Sequence, residues 1–251
     1  MLDRSPSHAG KVPAVTLGFW VIKIAATTLG ETGGDTLSMS MGLGYAVSTV
    51  IVFAIFLLAA GAQIRARALH PFLYWATIVA ATTAGTTMAD FADRSLGIGY
   101  IGGSVLLFAL LMAVLLAWWK TAGTVSVTAI VTPKAEAFYW AAIFASNTLG
   151  TALGDFLADD SGLGFAGGAL VFASLLAIVA AGYRFIGVSH TLLFWTAFIL
   201  TRPLGATVGD LLTKSHDDGG FGLSRSGSTA ILAVFIVAGI LFVRPRGPRA
   251  A

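Results

Sequence analysis

The chain has 251 residues, 57% of them hydrophobic and 11% charged, with a mean hydropathy of +0.86. These values exclude a soluble domain and a disordered chain, and they point to an all-α integral membrane protein. The net charge of +3 is spread thinly, which gives nucleic acid no footing, and the absence of cysteine excludes disulfides, thiolate metal sites and cysteine nucleophiles.

Eight apolar stretches follow in chain order, at residues 12–30, 45–64, 72–89, 100–119, 138–154, 165–185, 191–209 and 228–243. Crossing the hydrocarbon takes about 20 residues, so the shorter stretches need their flanking polar residues to complete a crossing. The first run, behind Arg4 and Lys11, has the outline of a signal peptide but recurs three times downstream, so it is read as a helix of the mature fold.

Four segments align without gaps: FWVIKIAATTLGETGGDTL from Phe19, YWATIVAATTAGTTMADFA from Tyr74, YWAAIFASNTLGTALGDFL from Tyr139 and FWTAFILTRPLGATVGDLL from Phe194. Each has a tryptophan (Trp20, Trp75, Trp140, Trp195), a glycine ten residues on (Gly30, Gly85, Gly150, Gly205) and an aspartate fifteen on (Asp35, Asp90, Asp155, Asp210). A short polar loop, usually ending in Gly-x-Gly, and a second apolar helix complete each unit. The expected fold is eight transmembrane helices in four parallel two-helix repeats, at about 13–67, 70–122, 135–187 and 190–244. The linker 120–134 separates two duplicated halves of one transmembrane domain. This pattern resembles a bacterial family of uncharacterised integral membrane proteins built from four tandem two-helix repeats, each with a tryptophan. The resemblance covers residues from about 13 to 243 and implies an architecture but no activity.

The basic residues set the orientation. Arg4, Lys11, Arg65, Arg67, Lys120, Lys134, Arg184, Arg244, Arg246 and Arg249 fall at the termini or between repeats, whereas only Arg94, Lys214 and Arg225 fall in the loops within repeats. The positive-inside rule therefore puts both termini in the cytoplasm of a multi-pass protein of the inner (plasma) membrane. The four tryptophans then become cytoplasmic interface anchors, and Lys23, near the same interface, is expected to snorkel. Fifteen residues at a rise of 1.5 Å carry the chain roughly 22 Å outward, so the four aspartates share one depth in the outer third of the bilayer.

Small residues recur ten and fourteen positions after each tryptophan: Gly30 and Gly34, Gly85 and Ala89, Gly150 and Gly154, Gly205 and Gly209. Such spacing lets helix backbones approach closely. One turn before the aspartates stand Glu31, Thr86, Thr151 and Ala206, and a stripe of Thr28, Glu31 and Asp35 in repeat 1 recurs as Thr83, Thr86, Asp90 and Thr148, Thr151, Asp155. Oxygen-rich stripes at membrane depth mark ion or proton paths, and a divalent metal held by Glu31, Asp35, Asp90 and Asp155 is the expected ligand set. Glu31 to Thr36 is also similar to the E-x-G-D-(K/R)-(T/S) motif of a family of calcium and manganese exporters, one residue out of register and without the basic position. Arg202 replaces Asn147 in repeat 4, where it balances a carboxylate of another repeat, acts as a built-in counter-cation or contacts an anion. His216 with Asp217 and Asp218 is an outer-loop cluster, read as solvated.

No phosphate loop, nucleophile elbow or zincin motif is present, so the chain is not expected to be an enzyme or to carry a cofactor. The expected function is secondary transport of a small cation, a divalent metal such as Mn2+, coupled to protons. The alternatives are transport of a small organic solute and a structural membrane protein without transport. The expected partners are the lipid bilayer and the cation, with a homo-oligomer left open.

Overall fold

The computed structural model describes residues 11–185, 187 and 189–242. Of the basic residues that set the orientation, Arg4, Arg244, Arg246 and Arg249 lie outside the described residues. Among the described residues there are eight α-helices and no strand: α1 (Leu17–Asp35), α2 (Gly44–Arg65), α3 (Pro71–Asp90), α4 (Tyr100–Ala122), α5 (Pro133–Asp155), α6 (Gly164–Phe185), α7 (His190–Thr213) and α8 (Arg225–Phe242). Five of them, α2, α4, α6, α7 and α8, are long and apolar enough to cross a membrane. The other three, α1, α3 and α5, are rich in threonine, glycine and acidic residues, and most of those residues are covered by neighbouring helices.

The arrangement follows from which faces are apolar. The odd-numbered helices pack in a closed ring, α1 on α3, α3 on α5, α5 on α7 and α7 on α1. Each even-numbered helix lies outside the ring against the first helix of the next repeat: α2 on α3, α4 on α5, α6 on α7 and α8 on α1. Leucine, isoleucine, valine and phenylalanine cover these outer helices and stay exposed, as Leu58, Leu106, Leu170 and Ile231 do. A helix apolar all round suits lipid.

The ring is sealed by the repeated small residues. A Cβ at Gly85 would lie 2.9 Å from the Thr148 amide nitrogen and 3.1 Å from the Asn147 Cβ. At the equivalent sites Gly30 receives Thr82, Gly150 receives Arg202 and Gly205 receives Thr27. One turn further on, Gly34 receives Thr86, Gly154 receives Ala206 and Gly209 receives Glu31. Backbones this close come within reach of side-chain hydroxyls on the neighbouring helix: the Thr27 hydroxyl lies 3.1 Å from the Thr201 carbonyl, besides 2.8 Å from the Ile24 carbonyl of its own helix.

An aromatic tier closes the tryptophan end by the same rule. The residue before each tryptophan packs on the tryptophan of the next repeat: Phe19 on Trp75 at 5.3 Å, Tyr74 on Trp140 at 5.6 Å, Tyr139 on Trp195 at 6.3 Å and Phe194 on Trp20 at 5.7 Å between ring centroids. The Tyr74 and Tyr139 hydroxyls meet at 2.5 Å. This corrects the reading of the tryptophans as interface anchors. Trp75, Trp140 and Trp195 are buried and Trp20 half-buried, because each indole fills a seam of the ring instead of facing lipid.

After the aspartates of repeats 1 to 3 the chain makes five-residue π-helical turns, Thr36–Ser40, Phe91–Ser95 and Phe156–Asp160. The Gly-x-Gly pairs then reverse the chain, with Gly42 at φ +69° and Gly44 at φ +74°, a conformation that costs glycine little. Repeat 4 has no such turn. Its segment from Lys214 to Ser224 folds back on α7, with the Phe221 amide bonded to the Leu211 carbonyl.

Candidate functional site

A spacing of four residues keeps side chains on one helix face. In α1 that face carries Phe19, Lys23, Thr27, Glu31 and Asp35, and all five are buried. The equivalent residues of α3, α5 and α7 are buried too, so the ring encloses stacked tiers of four side chains. The third tier is Thr27, Thr82, Asn147 and Arg202. The fourth is Glu31, Thr86, Thr151 and Ala206, and the fifth is the four aspartates.

The aspartates are 2–3% exposed and converge on Glu31. Carboxylate oxygens of Glu31, Asp35 and Asp90 lie within 4.8 Å of one another, as do those of Glu31, Asp155 and Asp210. Five carboxylates gathered in so small a buried space repel one another, so the cluster calls for cations. Lys214 supplies one, reaching Asp210 at 3.1 Å and Asp35 at 3.4 Å. Arg94 supplies a second, at 3.0 Å from Asp90 and 3.9 Å from Asp159, and Arg225 lies 3.4 Å from Asp35. Asp155 has no ion pair among the described residues. Burial works against the charge of Lys214, but the Asp210 and Asp35 carboxylates outweigh it and hold the ammonium well above the ordinary lysine pKa.

Beneath the aspartates, Arg202 reaches across the ring. One Nη atom lies 3.0 Å from Glu31 Oε2 and donates to the hydroxyls of Thr151, at 2.6 Å, and Thr86. Its stem runs past Gly150, where a side chain would collide with it. The charge-balancing role considered for Arg202 is therefore filled by Glu31 of repeat 1.

One further turn down, Lys23 is fully buried with its ammonium 4.1 Å from the centroid of the Phe198 ring. It does not snorkel: α1 is an inner helix, and the aromatic tier closes the way to the nearer end. The Thr28 stripe is also corrected. Thr28, Thr83 and Thr148 turn their hydroxyls back to the carbonyls of Ile24, Val79 and Phe144 in their own helices. The residues one place earlier, Thr27, Thr82 and Asn147, share the face of the carboxylates. Among the described residues His216 joins neither carboxylate group, and Asp217 and Asp218 beside it are exposed.

Arg94, Lys214 and Arg225 stand outside the expected site, where they count only as exceptions to the charge distribution. A signal for two of them is present, since Arg94 and Lys214 each follow their aspartate by four residues, the spacing of a helical ion pair.

In comparison with known proteins, the chain matches the family described as Repeat of Unknown Function (DUF347) four times, at residues 18–68, 73–124, 138–187 and 193–246. These matches cover most of the chain, which therefore belongs to that family, and they coincide with the four repeats read from the tryptophan spacing. No curated protein and no solved structure matches it.

Proposed function

We propose that this four-copy member of the DUF347 family is a secondary transporter of a small cation, a divalent metal such as Mn2+ fitting the site best, with protons as the coupling ion. The observation that carries the reading is the pair of carboxylate triads meeting at Glu31. Hard dications take such oxygens, and the Thr86 and Thr151 hydroxyls stand beside the same carboxylate through their shared bonds to Arg202. An entering dication competes for these oxygens with protons and with Lys214, Arg94 and Arg202. Metal movement one way is thereby coupled to proton movement the other. In this reading all eight helices cross a bacterial inner membrane as parallel repeats about the membrane normal, with both termini cytoplasmic and the aspartates toward the outside.

A second reading has its own support. Arg202, Lys214, Arg94 and Arg225 already neutralise most of the carboxylates, as a cluster that only assembles the helices would require. The two readings separate in proteoliposomes carrying an internal pH dye. An Mn2+ gradient should drive protons the opposite way in wild type, and Glu31→Gln and Asp155→Asn should abolish this while the purified variants still melt cooperatively. If no divalent metal moves protons, and both variants leave the metal tolerance of cells unchanged, the assembly reading takes its place.

A further inference from the structure

The tiers below the carboxylates hold polar atoms that neither the proposed transport nor the ring packing uses. Lys23 Nζ, Arg202 Nε and Nη1, both amide atoms of Asn147 and the Thr82 hydroxyl are buried and have no hydrogen-bond partner among the described residues. Lys23, Arg202, Asn147 and Thr82 each have 0% exposure. Three of them, Thr82, Asn147 and Arg202, occupy one tier on consecutive helices of the ring, and Lys23 stands one turn below the fourth member of that tier, Thr27.

Buried polar groups left open in a cluster mark a bound water or ion, because each alone is costly and together they form a site. The inventory decides which. The unpaired donors are the ammonium protons of Lys23, three N–H groups of Arg202, the two of the Asn147 amide and the Thr82 hydroxyl, whereas the unpaired acceptors are only the Asn147 carbonyl and the Thr82 oxygen. Donors are in excess, so a species that fits this site accepts and does not donate. Charge points the same way. Arg202 is balanced by Glu31, but among the described residues Lys23 has no carboxylate partner and lies over the Phe198 ring, which offsets little of the cost of burying an ion. The Phe198 ring over which Lys23 lies stands one turn below Arg202 on α7, so the two cations occupy neighbouring levels of the ring.

From these observations we infer that the axis holds a small monovalent inorganic anion of the halide class, bound between the Lys23 ammonium and the Arg202 guanidinium and seated by the Asn147 amide. The site is separate from the carboxylate cluster, and its occupancy does not depend on cation transport. An acceptor-only monoanion satisfies the surplus donors and cancels the charge of Lys23.

The test uses purified full-length protein in detergent without divalent metal, titrated with chloride or bromide against gluconate at constant ionic strength, with thermal melting and 35Cl NMR line width as readouts. Wild type should show a saturable rise in melting temperature with halide and none with gluconate, together with chloride line broadening that bromide reverses. Lys23→Met should weaken halide binding by about tenfold or more, and Asn147→Leu by a smaller factor. Should Lys23→Met fail to fold, the wild-type titration and Asn147→Leu decide the matter. Equal responses to chloride and gluconate, or undiminished halide binding in the variants, would overturn the inference and leave Lys23 as a neutral amine among waters.

Discussion

At the scale of single residues, charge placed in a poorly solvated ring is tolerated only where a partner stands opposite. Arg202 and Glu31 form such a pair, from the fourth repeat to the first, with both side chains almost fully enclosed. Breaking a buried pair leaves one ion uncompensated at a cost of about 3–5 kcal/mol, so Arg202→Met and Glu31→Gln should each lower the melting temperature sharply, and the double variant should be more stable than their added losses imply. Additive losses would show that the two side chains do not depend on each other. Lys214 makes a second case. Its pKa is raised in the fold, so the stability it lends is complete below the ordinary lysine value of about 10.4 and is lost only as pH rises through the folded value. The deficit of Lys214→Met measured by melting should therefore be the same at pH 7 and pH 9, and a deficit that vanished by pH 9 would contradict the pairing. The aspartates are legible in the sequence because fifteen residues separate each from its tryptophan. The tier of Thr27, Thr82, Asn147 and Arg202 is not, since stripes drawn with mixed spacings of three and four reach Thr28 instead, and only strict four-residue spacing follows the face that the ring encloses.

At the scale of helices, the repeated glycines are contact points whose partner decides the cost of filling them. At Gly85 the obstructing atoms include the Asn147 and Thr148 backbone, which cannot rotate away, while at Gly102 on the exposed face of α4 the nearest is Ile98 Cγ2 at 3.8 Å. Gly85→Ala should accordingly force α3 and α5 apart and reduce folded yield. Gly102→Ala should be neutral or stabilising, since alanine is favoured over glycine in a helix by about 1 kcal/mol. Detergent-extracted yield and melting of the two variants check this, and equal behaviour would mean that the α3–α5 seam is loose. The small-residue spacing is enough to announce close packing. It does not reveal that each glycine meets the next repeat, seven residues past its tryptophan, because a spacing within one helix carries no information about the register of its neighbour. The tryptophans mislead for a related reason: an indole at the end of an apolar run suits a lipid interface and a seam between helices equally well, and only the partner rings of Phe19, Tyr74, Tyr139 and Phe194 decide.

For the whole molecule, the duplicated sequence invites a division into two independent halves at the linker 120–134, yet the contacts run across that division. The first half supplies α4, which packs on α5, and the second supplies α8, which packs on α1, while the seams of α3 with α5 and α7 with α1 close the ring between them. Lys11 adds a clasp, binding Glu136 at 2.7 Å and the Ile64 carbonyl at 2.8 Å. Each half alone would expose two glycine seams and strand Lys214 from Asp35, or Glu31 from Arg202. Expressed separately, residues 1–124 and 125–251 should therefore be degraded or aggregate, whereas co-expression with an affinity tag on one half should recover both in a single complex. The outcome bears on the carboxylate site directly, since each of the two triads at Glu31 is completed only when its helices are brought together, and the triad with Asp155 and Asp210 draws on both halves. If either half alone purified as a stable species with the melting temperature of the intact chain, the closed ring would not be the unit that folds, and the carboxylate cluster would have to be rebuilt from two copies of one half.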